Sequence, residues 1–427
     1  TRCGVHYAAG YFHQWGAMLT NRVVITGVGA YSPIGNDWAT IEANLRALKG
    51  GVCHMPEWEE YEGLNTKLGA PVTDFELPAS FNRKRTRSMG RVAMLATAAS
   101  ERALTDADLL GDPLLKSGRV GVAYGSSTGS TQAITDFANM LLTKSLDGIT
   151  ATTYIRMMGH TTPVNIGVFF GLKGRVITTS SACTSGSQGI GYAFEAIRNG
   201  SQDVMVAGGA EELCPTEAAV FDTLYATSTC NDQPERSPKP FDVERDGLVI
   251  GEGACTLILE NRDHALARGA SIYAEIVGFD TNADGAHVTQ PSSDMMQRVM
   301  EMALADAGID AGAIGYVSAH GTATERGDIA ESHATGRVLG DAVPVSSLKS
   351  YMGHTLGACG ALETWLAVEM MNRGWFAPTI NLKNVDPACA ELDYVTGSGR
   401  ELDTEYVMNN NFAFGGINTS LIMRRHA

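Results

Sequence analysis

Short runs rich in Val and Ile and bounded by glycine punctuate the chain, among them "NRVVITGVGA", "RVGVAYGSSTG", "RVITTS" and "DVMVAGGAEE". Each predicts a strand. Between them lie segments whose apolar residues recur at helical spacing, such as "SERALTDADLL", "GYAFEAIRNG", "MEMALADAGID" and "LGACGALETWLAVEMM", and these predict helices. Strands alternating with helices imply largely parallel sheets covered by helices. The order of parts also repeats. "SERALTDADLL" leading into "RVGVAYGSSTG" is matched later by "MEMALADAGID" leading into "IGYVSAHGTAT". "RVITTS", a turn and a small-residue helix are matched by "VPVSSL", the turn "KSYMGH" and "LGACGALETWLAVEMM", and "DVMVAGGAEE" is matched by "YVMNNNFAFGG". The seam falls near Arg268, so residues 18–268 and 269–427 are expected to be two halves of a duplicated α/β fold sharing one core of helices.

A length of 427 residues allows a large core, and 44% hydrophobic and 19% charged residues with 48 glycines suit a globular α/β protein. The formal net charge of −15 argues against a general nucleic-acid binder. Eight cysteines, at 3, 53, 183, 214, 230, 255, 359 and 389, form no CxxC pair and no zinc-type spacing, which points to a reducing, cytoplasmic setting. No apolar run approaches the roughly 18 residues needed to cross a bilayer, so a soluble protein is expected. The first residues lack the pattern of a signal peptide, and Met18 directly precedes the first strand. Residues 1–17 are therefore expected to be an upstream extension. The loop "GVGAYSPIG" falls short of a dinucleotide fingerprint, because Ser32 stands where a glycine is needed and Pro33 breaks the expected helix start.

Cys183 lies in "SSACTSGSQGIG", between a strand and a helix. A lone cysteine is ordinarily core, but at a helix N-terminus the free N–H groups and the dipole favour thiolate and lower its pKa. In the second half, "SAHGTATERGDIAES" places His320 at a strand end, and "SSLKSYMGHTLGACG" places Lys349 and His354 around a glycine turn. Singly, a histidine in an apolar stretch is a satisfied structural residue and a lysine a solvated one. A cysteine and two histidines at equivalent strand ends of a duplicated fold would converge.

Taken together, "SSACTSGSQGIG", "PFDVERDGLVIGEGA", "HGTATERGD", "LKSYMGHTLGACGALE" and "NNNFAFGGINTSL" resemble, in order and spacing, the elongating β-ketoacyl-[acyl carrier protein] synthases of the thiolase superfamily. The resemblance spans Asn21 to Arg424. It implies a thiolase-like duplicated fold, layered α/β/α/β/α with two mixed sheets. It implies Cys183 as acyl-accepting nucleophile, His320 and His354 as the decarboxylation pair and Lys349 as their electrostatic support. The backbone N–H groups of Cys183 and Phe414 would hold the oxyanion, with Phe414 also a gate. Thr322 and Thr324 match positions that hold the pantetheine arm, and Ser126, Ser127 and Thr128 the acyl pocket. Asp328 and Glu331 match acidic positions read as structural. The implied reaction condenses an acyl chain on the enzyme with malonyl-[acyl carrier protein], with loss of carbon dioxide. It needs no metal and no cofactor beyond the 4'-phosphopantetheine on the carrier protein.

Three departures from the family pattern bear on chain preference: Ala413 in the gating loop, Thr419, and "GSSTGS" in place of a glycine-rich strand end. Hydroxyls at Ser126, Ser127 and Thr128 would favour conjugated or aryl chains over long saturated ones. "GGAEELCPTEAAVFDTLYATS" and "FAFGGINTSLI" are similar to ketosynthases of aryl polyene clusters. The rivals are a degradative thiolase, which would need a second cysteine near the C-terminus, and a non-catalytic chain-length-factor-like subunit, which would lack Cys183. The basic run "FNRKRTRSMGR" stands out in an acidic protein, and Lys84 and Arg87 match basic positions that dock the acidic carrier protein. The family implies a dimer of identical chains, or alternatively one with a chain-length-factor homologue, through "TTPVNIGVFFGLKG". Neither nucleic acid nor a membrane is an expected partner.

Overall fold

The computed structural model describes residues 20–426; the expectation for residues 1–17 lies outside them. The first half supplies β1 (Val23–Tyr31), α1 (Arg91–Asp106), β2 (Val120–Gly125), α2 (Thr161–Phe170), β3 (Val176–Thr178), α3 (Ser185–Arg198), β4 (Val204–Glu211) and β5 (Gly253–Asn261). The second supplies β6 (Ala274–Ala283), α4 (Ser293–Ala307), β7 (Ile314–Ser318), α5 (Glu325–Leu339), β8 (Pro344–Ser346), α6 (Cys359–Arg373), β9 (Asp393–Tyr394), β10 (Tyr406–Ala413) and β11 (Ile417–Arg425).

Both halves use one topology. In the first the strand order is β3-β2-β4-β5-β1, and in the second β8-β7-β10-β11-β6, with β9 added beyond β8. The two long strands next to the seam run antiparallel in each half, and the inner strands run parallel. The duplication reaches single side chains. A Cβ on Gly27 would lie 2.4 Å from the Ala103 carbonyl and 2.7 Å from the Ala107 methyl, and one on Gly278 would lie 2.5 Å from the Ala303 carbonyl and 2.8 Å from the Ala307 methyl. Each glycine lets a helix settle directly onto its strand.

The two expected sheets are the halves of one eleven-stranded sheet. β1 and β6 pair over three residues, Val23 to Ile25 against Ala274 to Ile276. The join satisfies the backbone N–H and C=O groups that two separate edges would leave open.

Helices α3 and α6 lie between the half-sheets, and their buried Ile190, Phe194, Leu362, Trp365 and Met370 share one core. α1 and α2 cover the outer face of the first half, and α4 that of the second. This gives the α/β/α/β/α layering. β3 departs from expectation: it is a three-residue strand at the sheet's end, with Val176 49% exposed, and no strand of the described residues lies beyond it. No described helix is long and apolar enough to cross a membrane.

Candidate active site

Two copies of one turn lead into α3 and α6. Residue 182 in one and residue 356 in the other adopt positive φ although neither is glycine (Ala182 +52°, Leu356 +45°). Each opens a single 3-10 turn, Ala182–Thr184 and Leu356–Ala358, before the long helix begins. Left-handed backbone costs an L-residue about 1–2 kcal/mol, so the packing around each turn must hold it there. The contact is close: a Cβ on Gly186 would lie 2.9 Å from the Gly357 carbonyl, and one on Gly360 would lie 2.6 Å from the Ser187 nitrogen. Two helix N-termini thus meet back to back beneath the site.

Cys183 sits on the first turn and His354 just before the second, with Sγ 3.0 Å from Nε2. The Leu356 N–H donates to His354 Nδ1 (3.3 Å), so in the neutral ring the proton is on Nε2 and points at the sulphur. His320, two residues beyond β7, stands edge-on to His354 with ring centroids 5.2 Å apart. Lys349 is buried and ion-paired with Glu363, whose other oxygen accepts from Asn411 Nδ2 (2.7 Å). Burial and the Lys349 charge hold both histidines well below the usual imidazole range, so both are neutral.

The cysteine differs from expectation. Burial pushes the Cys183 thiol up to about 11, against the pull of Lys349 and of the Phe414 and Cys183 N–H groups. At 4% exposed the sulphur has lost the water that would solvate a thiolate, and the helix N-terminus works against that loss. The same two N–H groups act on the sulphur, and an oxyanion on a carbonyl attached to Cys183 would need such donors.

The loop carrying His320 is held from below. Glu331 accepts from the N–H groups of His320 and Gly321 (both 2.7 Å), and Asp328 from those of Phe241 (2.7 Å) and Ala323 (3.1 Å). Burial raises their carboxyl groups to about 8 and about 6. Both act on backbone, the structural part read from the sequence.

Cys183, His320, His354, Thr322, Thr324 and Phe414 all line one cavity of about 540 Å³. The Thr322 and Thr324 hydroxyls lie 2.9 Å apart. Ser126, Ser127 and Thr128 are not among its lining residues. The Ser126 hydroxyl donates to Glu211 (2.7 Å), and those of Ser127 and Thr128 pair with each other (3.2 Å). The expected unpaired hydroxyls facing a chain are not there, because Glu211 draws this segment inward: it also accepts from the N–H groups of Ser127 (2.7 Å), Thr128 (3.3 Å) and Gly357 (3.0 Å). Lys84 and Arg87 are exposed and make no ion pair among the described residues.

Sequence reasoning did not single out Glu211, Glu363 or Cys359. Cys359 Sγ lies against the Cys183 carbonyl at 3.3 Å. The readable signal for the two glutamates was an acid inside a run of small and apolar residues, at the end of "DVMVAGGAE" and in "GACGALETWLAV". The sulphur and the imidazole nitrogens of Cys183, His320 and His354 lie within 4.8 Å of one another. Their donor types suit a metal, yet the Lys349 charge that depresses both rings opposes a dication at the same spot.

A buried thiol and two neutral imidazoles, converging from equivalent turns of a duplicated fold, define a thiolase-like acyl-transfer centre. The chain belongs to the β-ketoacyl synthase family. Residues 20–265 match "Beta-ketoacyl synthase, N-terminal domain" and residues 273–383 match "Beta-ketoacyl synthase, C-terminal domain". It is 39% identical to 3-oxoacyl-[acyl-carrier-protein] synthase 2 of Vibrio cholerae, over 96% of this chain and all of that protein. A β-ketoacyl synthase structure from Burkholderia phymatum superposes with a TM-score of 0.94 at 59% identity, covering 95% of this chain and all of the other. The ishigamide ketosynthase/chain length factor superposes with 0.87 at 32% identity, covering 96% and 100%. The chain is an acyltransferase.

Proposed function

We propose that the chain condenses an acyl group held on Cys183 with malonyl-[acyl carrier protein], and that each part of the reaction falls to the residues described. The Cys183 sulphur attacks the thioester carbonyl of an acyl-pantetheine arm, the carbonyl–sulphur bond breaks, and the proton lost by the Cys183 thiol passes to the departing sulphur, so that the carrier leaves as a thiol. Lys349 and the two backbone N–H groups offset part of the burial that disfavours thiolate. Malonyl thioester then enters the cavity beside Thr322 and Thr324. Its carbon–carboxylate bond breaks, carbon dioxide departs, and the enolate oxygen accepts hydrogen bonds from the neutral His320 and His354. The enolate carbon attacks the acyl carbonyl, the N–H groups of Cys183 and Phe414 hold the oxyanion, and the carbon–sulphur bond to Cys183 breaks to release a β-ketoacyl chain two carbons longer.

The observation that carries this is the tautomer of His354. A ring whose Nδ1 accepts from Leu356 presents an N–H toward the sulphur, so it acts as a donor to substrate oxygen and not as a base for the thiol. No metal and no cofactor other than the pantetheine arm takes part. The test is intact mass after incubation with octanoyl-[acyl carrier protein], followed by malonyl-[acyl carrier protein]. The protein gains one acyl mass and then sheds it as a β-ketoacyl product. Acyl mass that survives malonyl addition contradicts the reading.

The carrier protein docks at Lys84 and Arg87, whose exposed charges suit an acidic partner. A second copy of this chain covers β3 and its neighbours, since Val168 (77% exposed), on the helix that leads into that edge strand, presents an apolar side chain to the surface. A monomer at micromolar concentration in sedimentation contradicts the dimer. The cytoplasm is its proposed location, in keeping with seven free cysteines among the described residues.

A further inference from the structure

Three carboxyl groups sit together where β4 ends and the helix Pro215–Asp222 begins. Two are fully engaged: Glu211 as described, and Glu212 by the N–H groups of Val92 (3.2 Å) and Thr131 (2.8 Å) and the Thr131 hydroxyl (2.7 Å). Glu217 is 4% exposed, and neither of its oxygens makes a well-formed hydrogen bond, although the Thr128 hydroxyl lies near enough to act on the carboxyl. A buried polar group left unpaired costs about 1–3 kcal/mol, so its retention points to a partner that arrives from outside the chain.

Its place says what that partner is. Glu217 and Phe221 are four residues apart on one helix and share a face. Phe221 lines the catalytic cavity and packs on Phe414 with ring centroids 5.0 Å apart. Ala218, on the same helix, is buried in the cluster that holds Cys183, Leu356 and Cys359. Glu217 therefore stands one helical turn along from Phe221, just outside the lining of the catalytic cavity and beside Glu211, Glu212 and Cys214. Burial, with Glu211, Cys214 and Glu212 nearby, pushes its carboxyl well above the usual range, and the Thr128 hydroxyl counters this only in part. The group carries its proton and can donate as well as accept.

Resting on the reading that Cys183 carries the acyl chain, we propose that Glu217 is a specificity-determining residue: its carboxyl hydrogen-bonds an oxygen borne by that chain, so the site prefers hydroxyl- or keto-bearing chains to plain hydrocarbon chains of equal length. Glu217 is not among the lining residues of the cavity, so the Phe221–Phe414 contact must open for the chain to reach it. A hydrocarbon chain would leave the acid as unpaired as it now is, whereas a chain oxygen satisfies it.

The test competes octanoyl pantetheine against octanoyl pantetheines that each bear one hydroxyl, at successive carbons from the fourth to the last, with acyl-enzyme read by intact mass. The parent is expected to prefer one of the hydroxylated chains by about tenfold, Glu217→Gln to keep most of that preference, and Glu217→Leu to lose or reverse it. A parent that favours the plain chain throughout overturns the proposal, as does a Glu217→Leu protein with the parent's ratio. Acylation of Cys183 by none of the chains would instead overturn the acyl-enzyme reading on which the proposal rests. Because Glu217→Leu removes a buried unpaired acid, its melting temperature is expected to equal or exceed the parent's.

Discussion

Residues 181–186 and residues 355–360 are one turn used twice. Each has a non-glycine residue at positive φ, a single 3-10 turn, a glycine pressed against the other copy and a long buried helix. They differ at the position directly after the strained residue. The first copy places Cys183 there and keeps its N–H, with that of Phe414, turned toward the sulphur. The second places Gly357, whose N–H is taken by Glu211 and where a Cβ would lie 2.8 Å from that carboxylate. One copy keeps a pair of donors at the sulphur for a transient oxyanion, and the other a permanent carboxylate on its donor. The second copy cannot carry a nucleophile, and its contribution to chemistry comes instead from His354, just ahead of the turn. Duplication thus supplied two equivalent places for helix-end chemistry, and the reaction divides between them.

The largest effect that bears on this division is at Cys183. Cys183→Ala is expected to gain no acyl mass, while acylation at the parent's rate would move the nucleophile elsewhere. Cys183→Gln should still release carbon dioxide from malonyl carrier protein above the Cys183→Ala level, because its amide imitates the acyl thioester. Next come His320→Ala and His354→Ala, each expected to slow condensation by about 10²–10⁴-fold with acylation near the parent's rate. Separate single-turnover assays of the two steps distinguish them.

Lys349 and Glu363 both belong to the second copy, from which the Lys349 charge acts on the Cys183 sulphur of the first, and cutting the pair acts on stability as well as rate. Lys349→Ala leaves a buried carboxyl without its partner and is expected to cost about 3–5 kcal/mol in denaturant unfolding, with decarboxylation falling more than substrate binding. Glu211→Ala should free four donors at once and lower the melting temperature, whereas Glu211→Gln, which still accepts, should lower it less. Equal shifts for the two would contradict a carboxylate that works by accepting from the turn.

The smallest effect lies outside both turns. Reversing the charges of Lys84 and Arg87 is expected to raise the KM for acyl carrier protein by about three- to tenfold at low salt, with little change for acyl pantetheine. Equal changes for both substrates would remove the docking role.

How far the sequence revealed this depended on the kind of interaction. The order of elements and the pairing of halves were readable, because apolar periodicity and glycine punctuation are local, and the matched strands β2 with β7, β3 with β8 and β4 with β10 agree with that reading. The β1–β6 join was not readable, since it depends on two edges meeting across the seam. Nor was the Cys183 thiol, where local geometry favours thiolate and burial by distant residues outweighs it. Ser126 to Thr128 were read for their hydroxyls, but the partner of that segment, Glu211, lies on another strand. Buried acids are the general case. Glu211 and Glu363 sit in small, apolar runs that hint at burial, but only packing shows which partners they and Glu217 have.

The division of labour is tested most directly by the double variant His320→Ala, His354→Ala, with intact mass measured before and after malonyl-[acyl carrier protein]. The account predicts that it takes up one octanoyl group on Cys183 and keeps it when malonyl thioester is added, while the parent sheds it as β-ketoacyl product. A double variant that takes up no acyl group, or that sheds it as the parent does, would contradict the assignment of acylation to Cys183 and of condensation to the two histidines.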